Sequence, residues 1–156
     1  MTDADQEERG GTGQMSDSSS AVSIRSAAAA MNAGDVDGYI AHFAPTCERW
    51  VSGFDQPVSL HDVAESLRQL VRAFNPLRLD EELLISEGAF VCARWRLRGT
   101  QTADYVGLTS NGRSIDVAIC EVYEIADDKV VTTWAYQDPS QMFRQMASAA
   151  TSEGIQ

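Results

Sequence analysis

Apolar spacing changes once along this chain, at Pro76. Before that residue, apolar side chains recur at helical spacing; after it, they alternate. A helix-rich half followed by a strand-rich half excludes a parallel βαβ repeat and predicts an α+β fold, with helices laid against one face of an antiparallel sheet. The segment from Ala21 to Met31 is rich in helix formers and stops at Asn32-Ala33-Gly34. Asp35 is placed to cap a second short helix that runs through His42 and Phe43 and closes before Pro45. Thr46 to Val51 alternates like a strand. Ser59 and Asp62 have the spacing of a cap and its acidic partner for a third helix, which ends before Asn75-Pro76.

Four strands follow: Leu77 to Ile85, Phe90 to Gly99, Ser114 to Ile125 and Lys129 to Gln137. Ser86-Glu87-Gly88 and Asp127-Asp128 form tight hairpin links, whereas Thr100 to Arg113 is a longer one. A final helix is predicted from Pro139 to about Ala150. Residues 1–20 are polar, acidic and Gly/Ser-rich, and cannot bury enough surface to offset their ordering entropy. One domain over 21–150 is therefore expected, flanked by disordered ends at 1–20 and 151–156.

With 156 residues, 44% of them hydrophobic, the chain can build one core. Its net charge of −11 repels phosphate backbones and anionic lipid, so neither nucleic acid nor a membrane is an expected partner. Cys47, Cys92 and Cys120 are far apart in sequence and odd in number, which reads as reduced thiols in a cytoplasmic protein. His, Cys and acid spacings match no metal site, and there is no Gly-rich phosphate loop, so neither a metal nor an organic cofactor is expected.

The sequence resembles the SnoaL-like polyketide cyclase family of the nuclear-transport-factor-2-like superfamily. The resemblance is carried by Asn32 to Asp37, Ser86 to Thr100, Asn111-Gly112-Arg113, Val122 to Ile125 and Trp134 to Asp138, and spans roughly Ala21 to Met146. It implies a cone-shaped α+β barrel with an apolar cavity, dimerisation through the sheet, and cofactor-free tailoring of aromatic polyketides. The family's Gly-Thr-His-Thr-Gly stretch is here Gly99-Thr100-Gln101-Thr102-Ala103. Gln101 replaces the histidine that assists catalysis, and it cannot exchange a proton near neutral pH. Asp116 stands just after Asn111-Gly112-Arg113, where the resemblance puts the cyclase acid.

Asp116 and Gln101 are thus the candidate catalytic residues. Asp116 lies in an otherwise apolar strand, where a carboxylate is costly to bury unless hydrogen-bonded. The alternative is a strand-end acid that faces water or pairs with arginine. Glu121 has the opposite parity, so the two acids should not share a site. Asp138 reads as the cap of the last helix. Arg94, Arg96 and Arg98 share one face of their strand and should pair with acids such as Glu121 and Glu124; Trp95 and Leu97 share the other, facing the cavity. Trp50, Phe54, Tyr105, Trp134, Tyr136 and His42 are further candidates for the ligand site, each with ordinary packing as the alternative. Ile115, Val117, Ile119 and Tyr123 read as the outer apolar face through which a homodimer would form.

Three functions remain open at this point. One is intramolecular aldol ring closure of an aromatic polyketide. A second is cofactor-independent hydroxylation of an anthracycline-type polyketide by dioxygen. The third is a non-catalytic, dimeric module that binds a small ligand.

Overall fold

The computed structural model describes residues 17–147. The disordered ends expected at 1–20 and 151–156 fall largely outside this range, although Ser19 and Ser20 are helical. The first helix, α1, spans Ser19–Asn32, and the Ser18 hydroxyl accepts from the Ala21 N–H at its start. Helix α2 (Val36–Ile40) is capped by Asp35, whose carboxylate accepts from the Gly38 N–H at 2.8 Å. It is shorter than the sequence predicts. Phe43 already belongs to strand β1 (Phe43–Val51), and His42 lies in the turn between them rather than on the helix. A two-residue strand β2 (Val58–Ser59) leads into α3 (Leu60–Ala73), where Ser59 and Asp62 form the predicted cap.

Strands β3 (Phe74–Glu87), β4 (Phe90–Gln101), β5 (Ser114–Ala126) and β6 (Lys129–Tyr136) form the meander that the alternation predicted. Helix α4 (Pro139–Ala147) ends the described chain, and Asp138 caps it through Ser140. The sheet order is β2-β1-β6-β5-β4-β3, antiparallel except that β1 runs parallel to β6. Helix α1 packs on β3 and β4, and α3 on β1, β2 and β3, so together they cover the concave face. At the narrow end, Gly99 allows close approach: a Cβ there would come within 3.1 Å of both Phe74 Cβ and the Pro76 carbonyl oxygen.

Register decides which residues face inward. In the β4–β5 pair, Trp95 lies opposite Ile119, Leu97 opposite Val117, and Gly99 opposite Ile115, all toward the helices. This reverses the expected placement of Ile115, Val117, Ile119 and Tyr123. They are core and cavity residues, not an outer dimer face. The convex face instead carries Arg94, Arg96, Arg98, Asp116, Cys92, Cys120 and Val122. A register irregularity in β6 near Val131 leaves Val130, Thr133 and Ala135 buried and turns Trp134 and Tyr136 outward, next to Trp50 of β1.

Candidate active site

The concave face and the helices enclose an open cavity of about 400 Å³. Its walls are mainly apolar: Met31 from α1, Val63, Leu67 and Leu70 from α3, Leu77 and Leu79 from β3, Trp95 and Leu97 from β4, and Ile119 from β5. Val58 of β2 contributes too, as do Phe54, Gln137, Pro139 and Met142 from the loops and helix that border the sheet. Asn32 joins α1 to β3 beneath it, accepting from the Leu79 N–H and donating to the Leu79 carbonyl. Gln145 makes two bonds to the Asp116 backbone, at 2.7 and 2.9 Å, and so fixes α4 beside the start of β5, on the side that β6 does not reach.

One charged pair lies in this wall. Glu121, 5% exposed, is ion-paired with Arg49 of β1 through its Oε1. Its Oε2 accepts a hydrogen bond from the Tyr123 hydroxyl. That hydroxyl in turn accepts from the Trp95 indole N–H at 3.1 Å. The neighbours of Glu121 on the adjoining strands are Ala93 and Ala135, both buried and small, which leaves space above the carboxylate. Burial, and after it the negative charge of Glu121, holds the Tyr39 and Tyr123 phenols above their ordinary range. Burial opposes the Arg49 charge, but Glu121 together with the Tyr39 and Tyr123 phenols outweighs it and raises the guanidinium pKa.

The tyrosine shifts predict an alkaline limit. A phenol that stays protonated in the folded state and ionises on unfolding stabilises the fold fully below its unfolded pKa of about 10 and progressively less as pH rises above it. Absorbance at alkaline pH should show the Tyr39 and Tyr123 phenolates appearing together with loss of the folded circular dichroism signal. Ionisation of both while the fold persists would contradict their burial.

Of the residues singled out from sequence, Phe54, Trp95, Leu97 and Tyr105 line the cavity. Asp116 does not. Its side chain is 46% exposed on the convex face and pairs with Arg96 and Arg98. The arginine row finds its acids in Asp80, Glu82 and Asp116 rather than in Glu121 and Glu124. Gln101 points inward and is 1% exposed, but it lies behind the lining. Both hydrogens of its amide are taken by the Ala103 and Leu108 carbonyls, each at 3.2 Å, so it has none left for a ligand carbonyl. Trp50, Trp134 and Tyr136 lie on the convex face, and His42 bonds Ser23 away from the cavity.

Sequence reasoning gave Glu121 no catalytic role and overlooked Arg49. The signal for Glu121 was its parity: it is the one acid in the row Ile115, Val117, Ile119, Glu121, Tyr123. Among the described residues no group of three or more His, Cys, Asp or Glu is placed to hold a metal ion. No helix among them is long and apolar enough to cross a membrane.

This combination of helices and a curved mixed sheet around an open cavity is the nuclear-transport-factor-2-like fold. The chain superimposes on AclR, a candidate hydroxylase from Streptomyces galilaeus, with a TM-score of 0.76 at 22% identity, covering 81% of this chain and 94% of that one. IdmH, a candidate polyketide cyclase from Streptomyces antibioticus, gives 0.71 at 19% identity over 83% and 99% of the two chains. An NTF2-like protein of unknown function from Burkholderia pseudomallei gives 0.68 at 19% identity over 85% and 100%. No curated protein sequence matches the chain significantly. Residues 21–146 match the SnoaL-like polyketide cyclase family, and the chain belongs to that family.

Proposed function

We propose that the protein is a cofactor-free enzyme of aromatic-polyketide tailoring that closes a ring by intramolecular aldol addition, with Glu121 as the general base. The observation that carries this reading is a buried carboxylate, paired with a partly buried arginine, in the wall of a mainly apolar cavity. Each Glu121 oxygen has one protein partner, which leaves acceptor capacity toward the cavity. The carboxylate takes a proton from a methylene flanked by carbonyls. Arg49 stabilises the enolate oxygen electrostatically, an effect strengthened where water is excluded. The carbanion adds to a ketone of the same molecule, forming one C–C bond, and the resulting alkoxide recovers the proton from Glu121. The product is an isomer of the substrate, and no electrons are gained or lost.

The test is turnover of an anthraquinone carrying a β-keto ester chain with a ketone in reach, in air and without oxygen. A cyclic isomer at equal rates in both is the expected result. A product one oxygen atom heavier, formed only in air, would replace ring closure by hydroxylation. Binding without conversion would leave only the ligand-binding module.

We also propose a homodimer, now through the convex face. Trp50, Trp134 and Tyr136 form an aromatic patch there, with Tyr136 55% exposed. The arginines on the same face are largely matched by Asp80, Glu82 and Asp116, so two copies meet little like-charge repulsion across it. Light scattering at micromolar concentration should give twice the chain mass, and Trp134→Glu should halve it. A wild-type monomer would overturn the proposal.

A further inference from the structure

The Thr100–Arg113 link does more than join two strands. It turns back at Tyr105 and Leu108, which exchange backbone hydrogen bonds at 3.0 and 2.9 Å, and between them Val106 and Gly107 have positive φ. Tyr105 thereby reaches the cavity wall, with its ring edge-on to Phe74 at 5.5 Å between centroids. Its phenol is half-buried, and burial raises its pKa. Its hydroxyl has no hydrogen-bond partner among the described residues. Gln101 holds this turn: its amide bridges the Ala103 and Leu108 carbonyls, one on each side of Tyr105. Flipping the amide would set its oxygen against two carbonyl oxygens, so the orientation is fixed.

Glu121 and Tyr105 line the cavity at different places along the sheet. Glu121 is opposite Ala93, whereas Tyr105 packs in the cluster that includes Phe74 and Leu97. Ala93 and Leu97 are separated by roughly 13 Å at the usual rise per strand residue. We propose that Tyr105 donates its phenolic hydrogen to an oxygen at the end of the ligand remote from Glu121, and that Gln101 is the residue that positions it. This rests on the reading of the cavity as an aromatic-ligand site, and narrows the ligand class to elongated fused-ring compounds oxygenated at both ends.

Calorimetric titration with two probes tests it: anthraflavic acid, an anthraquinone with a hydroxyl on each terminal ring, and its monohydroxy analogue. Wild type should bind the dihydroxy compound about five- to tenfold more tightly, the scale of one net hydrogen bond. Tyr105→Phe should abolish that preference while leaving the affinity for the monohydroxy compound unchanged. Gln101→Leu should reduce the preference in the same way; a purely structural loss would weaken both compounds alike. A preference that survives Tyr105→Phe, or no preference in wild type, would overturn the proposal alone. Failure of both probes to bind wild type would overturn the ligand-site reading and this proposal with it.

Discussion

Glu121→Gln should lower turnover of a ring-closing substrate by ~100- to 10,000-fold, the usual cost of losing a general base. Size and shape are preserved by this exchange. The new amide can still accept from Arg49 through its oxygen and meet the Tyr123 hydroxyl through its nitrogen, so the fold should remain. Ligand affinity should stay within a few-fold, because apolar walls supply most of the contact area. The lost function is proton acceptance, and it should appear in kcat with KM little changed. Wild-type turnover by Glu121→Gln would remove Glu121 from the mechanism. An equal loss in Asp116→Asn would contradict the placement of Asp116 on the convex face.

Arg49→Met should be the most destabilising single substitution on the inner face of the sheet. It keeps side-chain length but leaves Glu121, 5% exposed, without its cation. Breaking a buried ion pair by removing one partner costs ~3–5 kcal/mol. For a chain of this size that lowers the melting temperature by about 10 °C or more. The double variant Arg49→Met/Glu121→Leu should recover much of that loss, since neither charge is then stranded. Thermal unfolding of the two single variants and the double closes the cycle. Additive effects would show that the pair is not coupled in the folded state.

The strands were legible because their signals are local. Alternation located β3 to β6 within a few residues, and Asp127 and Asp128, both at positive φ, make the hairpin turn that the sequence marked. What could not be read locally was the register of β4 on β5, which is set across the long Thr100–Arg113 link. With that register unknown, Asp116 and the row Ile115, Val117, Ile119, Tyr123 were each assigned to the wrong face, although Trp95 and Leu97 were assigned correctly. A consistent assignment was available from charge. Arg94, Arg96 and Arg98 need acids beside them on the solvent face, and Asp116 is one. Turning Asp116 outward turns Glu121 inward. Trp134 was misplaced for another reason: the irregularity near Val131 shifts the parity of β6 without any Gly or Pro to announce it. Arg49 was missed because the parallel β1–β6 pairing that brings it to Glu121 joins residues far apart in sequence.

The chain of bonds from Trp95 through Tyr123 to Glu121 has a polarity. An indole N–H donates and never accepts, so the Tyr123 hydrogen is committed to Glu121. Arg49, on the other carboxylate oxygen, is likewise only a donor. A proton that arrives on Glu121 therefore has no onward path through these partners, and its exits are the bound ligand and the cavity opening. On the proposed mechanism, a ligand that fills that opening makes the carboxylate a closed store: what it takes from one carbon it returns to the same molecule. Such an arrangement suits isomerisation better than any reaction that must export a proton at each turnover.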